Sequence, residues 1–348
     1  MSVIKRLQPV LAVLIGLLVG LLITYIAGES PWHVLKILVR SAVGSPYDLG
    51  MTLFYATPLI FTGLSVSIAF HAGLFNIGAE GQLTLGALAA AAVGTLLPNV
   101  PWPLAPILAM IAAFTVGAAW GAIPGWLKAK RGSHEVINTI MLNFVAAGIS
   151  SYITLYLLKN PDSQNPETRP IGAGYLISKL TLFGDAPVST ALLLALLTAA
   201  LFWLFLTKTV LGFELCAVGQ NELAARSGGI NRSKIRILAM SLAGGLAGMV
   251  GVGEILGSAG RFKLEFSPGY GFMGIAVALM GRGRPLGVVA SALLFGALHK
   301  GTSDLDLETE NITRDLSMIL QALIIISVSA DGLWAWTKSP PQRAQGAP

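Results

Sequence analysis

Charge is what this sequence has least of. Of its 348 residues only 11% are Asp, Glu, Lys or Arg, while 54% are hydrophobic. Soluble domains carry roughly 25% charged residues, so a water-soluble globular fold is excluded and an integral membrane protein is indicated. Cysteine is nearly absent. Cys216 stands alone, and no intramolecular disulfide framework can form. The four histidines, His33, His71, His134 and His299, are scattered without metal-ligand spacing, so no metal site is expected. No Gly-x4-Gly-Lys-Ser/Thr phosphate loop occurs, and this chain is not expected to hydrolyse nucleotide itself. No Ser/His/Asp set and no His-Glu-x-x-His motif suggests itself, so no catalytic residue and no cofactor is assigned.

What the chain has instead is apolar length. Its mean hydropathy is +0.72, and ten apolar spans run at about 7–27, 50–70, 78–97, 103–127, 136–158, 188–207, 236–258, 270–281, 286–300 and 316–333. Most reach the length of a membrane-crossing helix, whereas barrel strands would be ~10 residues with strict alternation. The spacing predicts an all-α polytopic membrane protein of about ten transmembrane helices, with the eighth and ninth short enough to form a broken hairpin or to end inside protein. The net charge of +6 needs no nucleic acid, because basic inner loops account for it. With the N-terminus inside, Lys5, Arg6, Lys128, Lys130, Arg131, Lys208, Arg226, Arg232, Lys234, Arg236, Arg282, Arg284, Lys338 and Arg343 all fall on the inner face. Asp162, Glu167, Asp185 and the run Asp304, Asp306, Glu308, Glu310 fall in outer loops. Both termini are then cytoplasmic. Leu7–Ala27 is read as a retained helix rather than a cleaved leader. Residues 1–338 form one transmembrane domain with a large inner loop at 208–235, and 339–348 read as a disordered tail.

Outside the spans, Pro31–Arg40 suits an amphipathic helix at the interface. Residues 159–187 have loop composition. Trp32, Trp102, Trp334 and Trp336 sit at span ends as interfacial anchors. Ala72-Gly-Leu-Phe75 follows the second span and Ala259-Gly-Arg-Phe262 the seventh. That pairing would make the chain two inverted five-helix repeats, although a match this short arises as readily by chance.

One stretch breaks the apolar pattern: Gly73-Leu-Phe-Asn-Ile-Gly-Ala-Glu-Gly-Gln-Leu-Thr-Leu-Gly86. A carboxylate amid hydrocarbon is costly and asks for a reason. Asn76 is a candidate N-cap, and Glu80, four residues on, would share its face in the first turn, where the helix dipole favours an anion. Gly78, Gln82 and Gly86 form another face suited to close helix packing. Two readings of Glu80 stand: it lines a substrate path with Asn76 and Gln82, or it lies near the inner surface and pairs with a basic loop residue. On the fifth span Asn138 and Asn143 are five residues apart, about 140° around a helix by three-dimensional pitch, so both cannot face one narrow path. Asn143, deeper in the span, is the better lining candidate, with an interhelical hydrogen bond as the alternative. His134 and Glu135 read as cap or interface residues, and Glu254 as a gate or as a side chain reaching for water.

The inner loop contains Gly212-Phe-Glu-Leu-Cys-Ala-Val-Gly-Gln-Asn-Glu-Leu-Ala-Ala-Arg-Ser-Gly-Gly-Ile-Asn231. Asn221 can cap a short helix over Glu222–Ser227, and Gly228 and Gly229 can end it. Ala224 and Ala225 would give that helix a small face, fit for a cleft on a partner or merely for linking two spans.

These motifs carry a resemblance. The 212–231 loop is similar to the coupling helix of an ABC importer permease. Gly73–Gln82 resembles the hallmark of the branched-chain amino acid/ribose/nucleoside permease family. Ser133-His-Glu-Val-Ile-Asn-Thr-Ile-Met-Leu-Asn143 resembles a second motif of its nucleoside-type branch. The ribose-type pattern Gly-Ile-Asp-Leu-Ser-Val-Gly is missing from the first position. The resemblance implies the membrane-spanning permease of an ABC importer in a bacterial cell (inner) membrane, moving nucleosides or simple sugars inward by ATP-driven alternating access. It implies cytoplasmic ATPase subunits, an extracytoplasmic substrate-binding protein, and a second permease subunit, identical or not, all in contact with lipid and none with nucleic acid. Gly219, Asn221, Glu222, Ala224, Ala225 and Gly228 would make the ATPase coupling element. An ion- or proton-coupled secondary transporter is the rival that Glu80 would also suit, and a membrane scaffold without transport is a third reading.

Overall fold

A computed structural model describes residues 3–309 and 315–329. The expectations for the 339–348 tail, for Lys338, Arg343 and Glu310, and for Trp334 and Trp336 lie outside these residues. The described chain is α-helical: α1 Val3–Ile26, α2 Pro31–Val43, α3 Pro46–His71, α4 Ala79–Leu96, α5 Leu104–Arg131, α6 Glu135–Tyr152, α7 Ala191–Lys208, α8 Val210–Gln220, α9 Glu222–Ser227, α10 Arg232–Gly248, α11 Tyr270–Met280, α12 Pro285–Glu308 and α13 Leu316–Ser329. Wide π-turns extend α6 over Ile153–Leu157 and α10 over Val252–Ala259. Five of these helices are long and apolar enough to cross a membrane: α3, α5, α6, α7 and α10 with their extensions. Others are shorter, or carry the polar groups described below. The chain is an all-α, multi-pass membrane protein.

Local chemistry sets the boundaries. Ser45 accepts a hydrogen bond from the Asp48 N–H (3.1 Å), and Pro46 opens α3 with its φ already helical. Lys128, Lys130 and Arg131 crowd the last turn of α5, where the dipole favours cations, and Gly132 ends it. The bundle centre is built from glycine. A methyl added at Gly244 on α10 would meet the Gly117 carbonyl oxygen of α5 at 2.1 Å, and one at Gly121 would meet the Met240 oxygen at 2.3 Å. A methyl at Gly86 of α4 would likewise stand 2.4 Å from the Gly248 Cα of α10. Membrane helices gain no hydrophobic drive against each other, so backbone approach at small residues supplies the packing. Gly117, Gly121 and Gly125 recur every four residues, a sequence signal for α5 against α10 that motif reading passed over.

Two segments differ from expectation. The acidic residues Asp304, Asp306 and Glu308 were placed in an outer loop; α12 carries them instead, extending eight residues past the predicted 300. Lys300 pairs with Asp304 one turn on, Thr302 bonds back to the Leu298 carbonyl, and Leu305 buries against Val34, Ile37 and Leu38 of α2, so the helix continues. The 159–187 segment is a loop by composition but is packed down. Tyr175 is fully buried with its hydroxyl on the Leu97 carbonyl (3.0 Å), and Thr168 and Phe262 exchange hydrogen bonds that pair the loop with the 260–264 strip. α2 is the expected amphipathic helix, with Val34 and Ile37 buried and Trp32 exposed.

Candidate functional site

α3 ends at His71 beside two other chain reversals. The Ser67 hydroxyl donates to the Gly283 carbonyl (2.7 Å), and a methyl at Gly219, the penultimate residue of α8, would stand 2.1 Å from the His71 carbonyl oxygen. This is the end of the bundle that carries α8 and α9. Gly73 then takes φ +69°, a conformation that costs other residues about 1 kcal/mol or more, and Phe75–Ile77 run without helical bonds until α4 begins at Ala79. At the opposite end Gly260 takes φ +64° after α10, and the chain again runs irregularly until α11 begins at Tyr270. The two similar tetrapeptides therefore make the same kind of turn at opposite ends of the bundle.

The starts of α4 and α11 meet. The Gly271 N–H donates to Glu80 Oε2 at 2.7 Å, and a methyl at Gly271 would lie 2.3 Å from the Glu80 backbone nitrogen. Ser267 holds the turn leading into α11, its hydroxyl accepting from the Tyr270 N–H (3.0 Å) and also facing the Glu80 carboxylate. A carboxylate thus sits between two helix N-termini, each of positive dipole sign. α11 runs from this meeting point to the α9 end at ~1.5 Å per residue, which puts Glu80 about 15 Å inside a bundle whose α3 is about 39 Å long by the same rise. The 71–78 stretch turns at the end of the bundle and climbs to mid-depth.

This geometry separates the sequence candidates. Asn76 and Gln82 are buried and hydrogen-bond each other, Asn76 Nδ2 to Gln82 Oε1 at 2.8 Å and Gln82 Nε2 to Asn76 Oδ1 at 3.2 Å. Their amides brace the turn, and neither lines the cavity described next. Asn76 also accepts from the Gly78 N–H (3.0 Å), an Asx turn just before α4. Asn143 of α6 clamps the same turn from outside, accepting from the Gly81 N–H and donating to the Ile77 carbonyl, both at 2.9 Å. Asn138 points elsewhere, to the Ser133 hydroxyl (2.7 Å). Glu80 has no ion pair among the described residues. The acidic residue that does meet an α5 lysine is Glu135, with Lys128 at 2.8 Å.

Glu80, Gly81, Thr84 and Asn143 line a cavity of about 240 Å³, closed by Ser150 and Ser151 of α6 and by the 264–267 strip. Its polar atoms belong to hydroxyls, an amide and the carboxylates of Glu80 and Glu265, and no basic side chain lines it. Such a surface can accept hydrogen bonds from a neutral, donor-rich ligand and opposes an anion. Sequence reading missed Thr84, Ser150, Ser151, Glu265 and Ser267. Ser267-Pro-Gly-Tyr270 before an apolar run was a capping signal, but nothing in one dimension joins it to Glu80. Glu254 of the α10 extension faces the hydroxyl of Tyr270, the first residue of α11.

At the α9 end the predicted capped helix forms over Glu222–Ser227. Asn221 Oδ1 accepts from the Ala224 N–H (3.0 Å), and the Ile230 N–H closes back on the Ala225 carbonyl (3.0 Å) after Gly228 and Gly229. Glu222 bridges α9 to α10 through Arg232 and Arg236 (2.5 and 2.6 Å). Burial alone would raise its carboxyl, but the Arg232 hydrogen bond and the two guanidinium charges outweigh that and hold it below the ordinary carboxylate value. The small face expected of Ala224 and Ala225 is divided. Ala225 is only 5% exposed and faces the protein's own core, whereas Ala224 is exposed beside Leu223, which is 72% exposed. Successive helical residues differ by about 100°, so the one face that α9 turns to the core takes Ala225 and leaves Leu223 and Ala224 outside.

Residues 49–329 match the family described as branched-chain amino acid transport system / permease component. The chain is 37% identical to a glucose ABC transporter permease protein of Haloferax volcanii, over 91% of this chain and 85% of that protein. It is 36% identical to the guanosine ABC transporter permease protein NupP of Bacillus subtilis, over 94% and 95%. It is 34% identical to the nucleoside ABC transporter permease protein NupB of Lactococcus lactis, over 93% and 91%. A second guanosine ABC transporter permease protein of B. subtilis, NupQ, is 28% identical over 70% of this chain.

Proposed function

The chain belongs to the branched-chain amino acid transport system / permease component family, and from that premise we propose that it forms one half of the membrane path of an ABC importer for nucleosides, with simple sugars as the second substrate class. The observation that carries this reading is the Glu80 cavity: mid-depth in the bundle, lined by hydroxyls, an amide and carboxylates, and free of lining basic groups. Ribose and other sugars offer hydroxyl donors to such a surface, and a phosphate would be repelled by it. Residues 1–338 act as one transmembrane unit in the cell membrane with the α9 end and the N-terminus on the cytoplasmic side. ATP hydrolysis resides on partner chains that dock at Leu223, Ala224 and their neighbours on α9.

The Glu80 cavity is walled on one side by α6. α6 lines it with Asn143, Ser150 and Ser151, yet presents Met141, Phe144, Val145 and Tyr152 outward. A polar cavity beside an outward apolar face is costly to leave against hydrocarbon, so a second permease subunit is assigned to the α6 face. The paired guanosine permeases of B. subtilis favour an unlike partner. A substrate-binding protein would dock at the opposite end, over the packed 159–187 loop. ATP binding would then switch the pair between inward- and outward-open arrangements, with ligand affinity differing between the two.

Co-reconstitution of the two permeases, the ATPase and the binding protein in proteoliposomes tests this. ATP-dependent uptake of labelled guanosine that survives a protonophore is expected. Uptake that persists without the ATPase and collapses with the proton gradient would return the secondary-transporter reading.

A further inference from the structure

Besides the packing of Ala225 in the core, α9 is held to the rest of the chain in two ways, and they differ in stiffness. The first is the Glu222 bridge to Arg232 and Arg236, made by long, partly exposed side chains. The second lies just before α9, where Gly219 rests on the end of α3 with no side chain between. A methyl at Gly219 would stand 2.1 Å from the His71 oxygen and 2.8 Å from the Gly73 nitrogen, and one at Gly73 would stand 3.2 Å from the Gly219 Cα. Backbone meets backbone there, and close-packed atoms transmit displacement where a flexible side chain would absorb it.

From that contact to the cavity the chain has no slack. Gly73 begins the climb, the Asn76–Gln82 amide pair ties its foot to the first turn of α4, and Asn143 holds the Ile77 carbonyl and the Gly81 N–H on one side chain. Glu80 lies inside this braced segment and carries the bond to Gly271 at the start of α11. Asn76 and Gln82 gain a role here that their burial away from the cavity denied them as lining residues.

We propose that the Gly219 contact with the His71–Gly73 turn is the lever by which movement of α9 reaches the cavity, shifting the braced 76–82 segment as a unit and making or breaking the Glu80–Gly271 bond. Gly219, Asn76 and Gln82 are positioning residues, since they act through Glu80 rather than on the ligand. The proposal rests on the reading of α9 as the ATPase-facing helix.

The test uses the full reconstituted complex with Gly219→Ala. The variant is expected to assemble and to hydrolyse ATP, with KM for nucleoside-loaded binding protein unchanged, while nucleoside moved per ATP falls by about tenfold or more, the ratio a ~1.4 kcal/mol bias produces. A structural defect would instead lower assembly and hydrolysis together. An unchanged ratio in an assembled complex overturns the lever. Should the variant fail to assemble, hydrogen exchange of the wild-type complex with and without a non-hydrolysable ATP analogue decides. Protection of 214–229 and of 72–81 must change together, and a change in the first without the second overturns the proposal. Absence of ATP-dependent uptake by the wild type would count against the importer reading itself, and the exchange measurement would still judge the lever.

Discussion

Replacing Glu80 separates its hydrogen bond from its charge. Glu80→Ala removes the acceptor of the Gly271 N–H and strands that donor at the start of α11. A hydrogen bond to a charged group contributes about 1.5–3 kcal/mol. If the bond is made in one transport arrangement and not the other, that sum enters the equilibrium between them. At 1.36 kcal/mol per tenfold, turnover should fall roughly 10- to 150-fold by the same constant. Glu80→Gln keeps a neutral acceptor worth about 0.5–1.5 kcal/mol, so its loss should be the smaller of the two, about eightfold from the difference between the midpoints of the two ranges. Both variants would be compared with wild type in proteoliposome uptake, with assembly checked by co-purification of the ATPase. Wild-type kinetics in an assembled Glu80→Ala complex would refute the reasoning outright. Equal damage in the two variants would refute the hydrogen-bond account and leave the charge alone as the cause.

Three further outcomes follow from the same contacts. Gly244→Ala forces a methyl to 2.1 Å from the Gly117 oxygen, where only backbone movement can relieve it. It should lower the melting temperature of the purified chain by the equivalent of about 1–3 kcal/mol, while Gly148→Ala, with nothing within 4 Å, should lower nothing. Ala224→Arg on the exposed side of α9 should weaken ATPase co-purification without changing the melting temperature. Ala225→Arg, at a position 5% exposed, should lower the melting temperature itself, and equal behaviour of the two would contradict the division of that helix. Because Arg232 and Arg236 hold the Glu222 carboxyl below its ordinary value against the opposing effect of burial, its contribution to stability is complete above the ordinary carboxylate pKa. It is lost as the pH falls through the depressed one. The melting-temperature gap between wild type and Glu222→Gln should therefore stay constant at neutral and mildly acidic pH and close only below the ordinary carboxylate range.

Much of this protein was fixed by chain-local physics. Apolar runs long enough to span hydrocarbon, interrupted by basic turns, determine an all-α membrane protein because only a helix satisfies its backbone without help from water. The α9 helix was legible because Asn221 caps it and Gly228 and Gly229 end it within a few residues. Glu80 was conspicuous for the cost of a carboxylate amid apolar residues. What lay outside the sequence was every relation between distant segments. The meeting of Glu80 with Gly271 joins residues 191 apart. The rest of Gly219 on His71 joins two turns that share no pattern. The inward face of Ala225 depends on a core that α9 does not itself contain. The end of α12 depended on the apolar face of α2. Side-chain type and spacing set what each segment can form alone. Which polar groups are used up in bracing, as Asn76 and Gln82 are, and which remain facing a cavity, as Glu80 does, was decided only when the helices closed on one another.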